Sequence, residues 1–379
     1  MRLVRLDKNT QAFFALIRAG LWRDTVDDES WLKGHDFSVV DWQKVYELAD
    51  EQLVPGLLLA AIEVLPKGQR PPKPLLMQWI GDIQMIEQQN QSMNEYVAWL
   101  IDRLREEDIN AVLVKGQGIA QCYEKPIWRA PGDVDLLLSA ADYEKAKKVL
   151  IPLAELVDKE FTLYKHIGMT MPGELLVELH GTLHSRLSRR VDRIIDEAQS
   201  DVFAGGCVRS WINGNTNVFL PGLDSDVIFL FTHILKHFYQ GGIGIRQICD
   251  LCRFLWTYKD QLDKPLLEKR IREMRLMSEW QAFAAYAVDF FGMPESAIPL
   301  YSPCKKWSRK AKVINNFVLE AGDFGHNRDN GNTGDYPYLI NKAIAFWCRT
   351  KDSFRHFFIF PVNSIKAWWT VLVTGVKEL

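Results

Sequence analysis

Two aspartates separated by a single residue, Asp133 and Asp135, have the spacing of a cation site. They lie in the segment from Arg129 to Leu138, where the turn Pro131-Gly132 leads into a short strand that ends in three leucines. Side chains alternate between the faces of a strand, so both carboxylates point the same way, with Cα atoms about 7 Å apart. Two acids on one face of an apolar strand repel each other unless a positive charge lies between them, and a divalent cation supplies that charge. The alternative is an exposed edge strand whose acids face water.

A third acid, Glu178, lies between Val177 and Leu179 in another predicted strand. An acid with apolar neighbours on both sides is unfavourable unless its face of the strand looks into a polar cleft. If this strand lies beside the strand of Asp133 and Asp135, three carboxylates converge. Three acids can hold two magnesium ions about 4 Å apart, which is the arrangement for in-line attack on phosphorus.

The elements that must position these acids form a mixed pattern of strands and helices. A short helix is predicted over residues 119–123, before the acidic strand. A second helix, with Ser139 as its N-cap, is predicted to follow that strand and to run to Leu150. The other predicted strands are 110–114, then 166–171 and 175–180 around the turn Pro172-Gly173, and a second hairpin from 207 to 220 around Asn213-Gly214. The order strand, helix, strand, helix, strand, strand predicts a small mixed α/β sheet.

Helical periodicity fills both ends of the chain. Asp41 is the expected N-cap of an early helix, and a long helix is expected over residues 75–104. Asp224 or Ser225 is expected to cap a helix through His237. The next helix is expected over residues 245–256, and 322–338 is expected to be a long loop. We therefore expect an α+β fold with an N-terminal helical region (1–100), an α/β core (101–222) and a C-terminal helical region (223–379).

The composition is that of an ordinary globular protein, with 47% hydrophobic and 25% charged residues among 379. A formal net charge of −2 gives no global basic field for a long nucleic acid. Cys249-x-x-Cys252 has no second pair to complete a zinc site, so two core thiols are expected. The N-terminus has no signal-peptide core, and the apolar run 367–376 is too short to span a bilayer. A cytoplasmic location without a transmembrane segment is the expectation.

These motifs resemble the polymerase-β-type nucleotidyltransferase superfamily, and most closely its bacterial family of poorly characterised nucleotidyltransferases. That superfamily is marked by a strand, a Gly-containing turn, an acid-x-acid strand and a third acid on a neighbouring strand. The matching segments are 112–116, 132–136 and 177–180, with further likeness at 223–226, His233-x3-His237 and 248–251. The resemblance covers roughly residues 95 to 260. One departure is Gln117, since the turn motif usually has a second small residue there.

The resemblance implies transfer of a nucleoside monophosphate from a nucleoside triphosphate to a hydroxyl group, with release of pyrophosphate. The implied catalytic and metal-binding residues, which would hold two Mg²⁺ ions, are Asp133, Asp135 and Glu178. Glu178 would be the third acid or the general base. Gly116 would let the backbone approach phosphate. Lys115 and Arg129 flank the motifs and are candidates for binding phosphate charge, with a solvated surface cation as the alternative for each.

The substrate-binding candidates are three histidines and one aspartate. His180 lies two residues beyond Glu178, so it shares that strand face and could touch substrate or ligate metal. His233 and His237 are four residues apart on one helical face and are expected to belong to a helical lid over the cleft, joined by Asp250 from the next helix. A purely structural role for these histidines is the alternative.

The near-neutral charge favours a small-molecule or protein acceptor over a long polynucleotide. Two other functions compete with nucleotidyl transfer. One is a nucleotidyltransferase-like nucleotide-binding or regulatory module that has lost turnover, which the Gln117 departure motivates. The other is a metal phosphohydrolase that would bind a transition metal at His233 and His237.

Overall fold

A computed structural model describes residues 6–23, 29–161, 165–240, 242–321, 350, 356–366 and 368–369 of the chain. The expected loop at 322–338 lies outside the described residues. None of the described helices is long and apolar enough to cross a bilayer.

The first part of the chain is helical. Its helices are α1 (Lys8–Leu21), α2 (Glu29–Leu32), α3 (Trp42–Glu51), α4 (Pro55–Ile62) and α5 (Lys73–Arg105). The side chain of Asp41 accepts a hydrogen bond from the backbone amide of Lys44, so the predicted N-cap of α3 is confirmed. The long predicted helix is also confirmed, and α5 exceeds the predicted bounds at both ends by one or two residues.

The middle of the chain forms one sheet of seven strands within the described residues. Its strands are β1 (Ala111–Val114), β2 (Val134–Leu138), β3 (Leu156–Val157), β4 (His166–Met171), β5 (Leu175–His180), β6 (Val208–Asn213) and β7 (Thr216–Pro221). Their spatial order is β3-β4-β5-β2-β1-β7-β6. Three helices lie between the strands in sequence: α6 (Gly116–Ala120), α7 (Ala140–Leu150) and α8 (Arg189–Phe203).

Both predicted hairpins are confirmed. Strands β4 and β5 pair antiparallel, as do β6 and β7. Gly173 and Gly214 have φ values of +82° and +60° in the two turns, a backbone region that glycine adopts without steric penalty. Ser139 accepts a hydrogen bond from the amide of Asp142, so it caps α7 as predicted.

The register of the central strands brings two motifs together. Strand β2 runs parallel to β5, with Asp135 opposite Glu178. On its other side β2 runs antiparallel to β1, with Asp135 opposite Val114, the last residue before the Lys115 turn. The two acidic strands are therefore neighbours, as the sequence argument required.

The segment 223–321 is helical again. Its helices are α9 (Leu223–Gln240), α10 (Ile245–Thr257), α11 (Lys264–Met274), α12 (Met277–Phe291) and α13 (Lys305–Ala321). The predicted cap of α9 is wrong, because the helix begins at Leu223, before both candidates. Their side chains serve tertiary contacts instead: Ser225 Oγ donates to Ala198 O, and the Asp224 carboxylate accepts from the amide of Asp263.

Two hydrophobic cores lie on opposite faces of the sheet. One is built from α7, the second half of α5 and the strand side chains that include Leu136, Leu138 and Val177. The other joins side chains of α1, α3 and α4 to those of α8 to α13 and receives Leu137 from β2. Cys249 and Cys252 are buried free thiols in this second core, as predicted. The α+β class is confirmed, and the three-part division at 100 and 222 stays a prediction.

Candidate active site

Three carboxylates meet on the sheet face that α9 and α10 cover. Asp133 immediately precedes β2, Asp135 is its second residue, and Glu178 is the fourth residue of β5. One carboxylate oxygen from each lies within 4.8 Å of the others. Asp135 shares its strand face with Leu137, whereas Val134 and Leu136 point into the opposite core, so strand alternation separates acids from apolar side chains.

Positive charge next to these acids comes from Lys115 and His180. Lys115 Nζ lies 2.7 Å and His180 Nε2 lies 2.6 Å from the same oxygen, Asp135 Oδ1. Only 2% of the Asp135 side chain is exposed, and burial alone would raise its pKa. The two cationic neighbours outweigh that effect and hold the pKa of Asp135 below its ordinary value. Asp135 is therefore ionised at neutral pH.

Lys115 reaches this position through an unusual backbone conformation. Its φ of 58° and ψ of −146° lie in a region that residues with a side chain rarely adopt. The next residue, Gly116, has a φ of +40°, and a Cβ there would lie 3.3 Å from the carbonyl oxygen of Asp133. The turn between β1 and α6 thus lies in close contact with Asp133, the residue that precedes β2.

Two stacked histidines flank Glu178. The rings of His166 and His180 lie 4.8 Å apart, and their Nε2 atoms lie 3.0 Å and 3.3 Å from the same oxygen, Glu178 Oε2. Burial opposes ionisation of Glu178, but these histidines hold its pKa well below the ordinary value. Burial would lower the pKa of His180, and its two carboxylate partners raise it instead.

The environment of Asp133 raises its pKa, whereas the environments of Asp135 and Glu178 lower theirs. The charge of Asp135 first, and burial second, raise the pKa of Asp133 to about 6. Among the described residues Asp133 forms no ion pair, while Lys115 acts on it only from a distance. The cleft therefore lacks one positive charge near Asp133, which a bound cation would supply.

Arg129 and Asp250 form a buried ion pair at the rim of this cleft. Arg129 Nε and Nη2 donate to the two oxygens of Asp250 at 2.8 Å and 2.7 Å, and Nη1 donates to the carbonyl oxygen of Ala130. The hydroxyl of Tyr123 donates to Asp250 Oδ1 at 2.8 Å. These hydrogen bonds connect the segment before β2 to Asp250 of α10.

Helix α9 contributes His233, Lys236 and His237 to the cleft wall. The rings of the two histidines lie 4.4 Å apart. Burial lowers the pKa of His237 to about 3 and the pKa of His233 well below its ordinary value, so both are neutral at pH 7. Among the described residues this pair belongs to no group of three metal-ligating side chains. The lid role predicted for this helix stays a prediction.

Gln117 does not project into the cleft. Its side-chain amide donates to Asn90 Oδ1 at 3.1 Å and to Asn94 Oδ1 at 2.7 Å, both on α5. The departure from a small residue in the turn is thus accommodated on the side away from the acids.

The sequence did not predict four polar residues of the cleft: His166, Lys236, Arg246 and Gln247. Arg246 Nη1 donates to the carbonyl oxygens of Ala130 and Pro131 and so holds the turn before β2. His166 could have been found, because the hairpin register places it opposite His180. Lys236 could also have been found, because it follows His233 by three residues on the same helical face. Arg246 and Gln247 gave no local signal.

The donor set at the acids fits a divalent cation. Carboxylate oxygens are the ligands that magnesium prefers. A second group, formed by His166, Glu178 and His180, also brings its ligand atoms within 4.8 Å of one another. Glu178 belongs to both groups.

Three carboxylates from neighbouring strands beside a Lys-Gly turn form the arrangement that the resemblance to nucleotidyltransferases implies, and comparison with known families agrees. A family model described as an uncharacterised nucleotidyltransferase matches residues 38–292. Because the match covers more than half of the chain, this protein belongs to that family. Membership implies a transferase that uses a nucleoside triphosphate. No curated protein and no solved structure gives a significant match.

Proposed function

We propose that this protein transfers a nucleoside monophosphate from a nucleoside triphosphate to a hydroxyl group of a small-molecule or protein acceptor and releases pyrophosphate. The observation that carries the proposal is the convergence of Asp133, Asp135 and Glu178 within 4.8 Å of one another. They match the three acids of the polymerase-β-type pattern that the sequence resembles. Asp135 and Glu178 lie on neighbouring strands, and Asp133 immediately precedes β2.

Asp133, Asp135 and Glu178 would hold two magnesium ions. When bound, such ions activate the attacking hydroxyl and neutralise charge on the leaving pyrophosphate. In the reaction the acceptor oxygen forms a bond to the α-phosphorus, and the bond from that phosphorus to the β-phosphate oxygen breaks. Glu178, which is ionised and borders the partly exposed His166, is the predicted third acid or general base, and as the base it would accept the hydroxyl proton.

The chain's other residues would bind and orient the triphosphate. Gly116 leaves its backbone open to the cleft, and Lys115 carries a charge that the acids stabilise against burial. Arg129 stays a predicted nucleotide ligand, although Asp250 and Ala130 already engage its donors. His180, His233, His237 and Asp250 stay predicted contacts to substrate.

The test is the double substitution Asp133→Asn with Asp135→Asn. We expect it to abolish magnesium-dependent triphosphate binding and turnover, because amides cannot replace two anionic ligands. The assay incubates the protein with labelled triphosphates and a metabolite pool and measures pyrophosphate release.

The matched control replaces two exposed acids, Asp260→Asn with Asp289→Asn, and is expected to retain turnover. Unchanged turnover in the double active-site variant would contradict the proposal. Retention of triphosphate by the unaltered protein without pyrophosphate release would instead indicate a binding or regulatory module.

A further inference from the structure

A small recess opens beside the acidic cleft, and the stacked histidines His166 and His180 line both. Thr182, His184 and Arg186 line it, and Lys115 and Lys236 border both the recess and the cleft. Its volume of about 50 Å³ has room for a few water molecules. A recess of this size can hold one compact chemical group and is too small for a nucleobase.

The recess has the chemistry of an anion site. Among the described residues that line it there is no carboxylate. Lys236 makes no ion pair or hydrogen bond within the described part of the chain, and Thr182 Oγ1 is a buried hydroxyl without a partner there. A buried hydroxyl is normally hydrogen-bonded. A phosphate group has several acceptor oxygens and could engage an ammonium, a guanidinium and a hydroxyl together.

The position of the recess distinguishes it from the place of the triphosphate. Gly116, Gly132, Arg246 and Gln247 line the cleft but not the recess. An in-line displacement requires the attacking and leaving oxygens on opposite sides of the phosphorus. With the triphosphate beside Gly116, the attacking hydroxyl must come from the side of Glu178 and the recess.

On the basis of the proposed function, we propose that the recess binds a phosphomonoester group on the acceptor. The acceptor is then a small hydroxyl compound that carries a phosphate, and its hydroxyl reaches the acids while its phosphate is held by Lys236, Arg186 and Thr182. A neutral polyol or an unmodified protein hydroxyl would lack the group that this recess recognises.

Calorimetric titration of the full-length protein with glycerol 3-phosphate, and with glycerol, tests the proposal without requiring turnover. We expect glycerol 3-phosphate to bind and glycerol not to bind. Lys236→Gln should weaken glycerol 3-phosphate binding about tenfold or more, the usual effect of losing a hydrogen bond to a charged group. Thr182→Val, which keeps the shape of the side chain, should weaken it several-fold. Lys148→Gln, at an exposed lysine of α7, is the matched control and should leave binding unchanged.

Two further titrations separate this proposal from the proposed function. Asp133→Asn with Asp135→Asn should keep glycerol 3-phosphate binding, and a non-hydrolysable triphosphate with magnesium should bind together with glycerol 3-phosphate. Displacement by the triphosphate would overturn the proposal, since the recess would then hold nucleotide phosphates. Equal binding by the Lys236→Gln and Thr182→Val variants and the unaltered protein would also overturn it. Absence of nucleotidyl transfer with phosphate binding intact would count against the proposed function alone.

Discussion

Asp133 and Asp135 are two residues apart on one face of the sheet, yet their ionisation differs. Asp135 lies between Lys115 and His180, so its charge is compensated. Asp133 lies near the charge of Asp135 and has no ion-pair partner among the described residues, so its pKa rises to about 6. In the absence of metal, ionised Asp133 is a source of instability.

Because folding raises the pKa of Asp133, the substitution Asp133→Asn is expected to change the stability of the protein in a pH-dependent way. A carboxyl whose pKa is raised by folding binds its proton more tightly in the folded state, so stability is lost as pH rises through about 6. An upward shift of about two pKa units corresponds to roughly 3 kcal/mol at most. The asparagine variant should therefore have a higher thermal unfolding midpoint than the unaltered protein at pH 8, and a nearly equal midpoint at pH 4, both measured with chelator.

Magnesium supplies the control for this prediction. The ion stabilises whichever folded protein binds it. Adding magnesium at pH 8 should raise the midpoint of the unaltered protein more than that of Asp133→Asn. A variant that is less stable than the unaltered protein at pH 8 with chelator would show that Asp133 is electrostatically favourable, contrary to the prediction.

At the scale of elements, the local sequence pattern is sufficient to predict those strands and helices whose position a turn or a cap determines. The hairpin around Pro172-Gly173, the one around Asn213-Gly214 and the Ser139 cap were predicted because each depends on residues close in sequence. The convergence of the three acids followed once β2 was assumed to neighbour β5.

What the sequence could not predict depends on contacts between distant segments. Arg246 reaches the turn before β2 from 115 residues away, and no local pattern encodes that contact. The start of α9 was misplaced because Asp224 and Ser225, which look like caps, bind Asp263 and Ala198 instead. The direction of the Gln117 side chain likewise depends on α5.

The ion pair between Arg129 and Asp250 gives a prediction for α10. Arg129→Met leaves Asp250 buried without its partner, and breaking a buried pair in this way costs about 3–5 kcal/mol. The thermal unfolding midpoint should fall by several degrees. Replacing both members, Arg129→Met with Asp250→Leu, should restore part of the loss because no uncompensated charge remains.

Arg272→Met is the control, since Arg272 pairs with Glu268 on the surface of α11 and such pairs contribute about 1 kcal/mol or less. If Arg129→Met unfolds at the same temperature as Arg272→Met, the buried pair does not fasten α10. Triphosphate affinity measured on folded Arg129→Met would report separately on the predicted nucleotide role of this residue.

At the scale of the whole molecule, the first and last helical segments share one core. Phe14 of α1 packs edge-on against Phe290 and Phe291 of α12, and Trp22 Nε1 donates to the carbonyl oxygen of Phe291. The sheet face that carries the acids is covered by this joint helical layer. Helices α1 and α12, which lie on either side of the α/β core in sequence, therefore belong to the layer that covers it.

A fragment of residues 101–222 should consequently fail to fold cooperatively. It loses the cover of α9 and α10 on one sheet face and most of α5 on the other, which exposes large apolar areas. We expect no sharp thermal transition and strong binding of a hydrophobic dye, with the full chain as the control. A cooperative transition in the fragment would mean that the core is an independent domain.

The bond between Arg129 and Asp250 also has a consequence during protein synthesis. The two residues are 121 positions apart, so a ribosome adding about 5–20 residues per second makes the second one roughly 6 to 24 s after the first. All three acids leave the ribosome before α9 and α10. The nascent chain thus carries its acids exposed to water, and it gains a closed cleft only when these later helices dock.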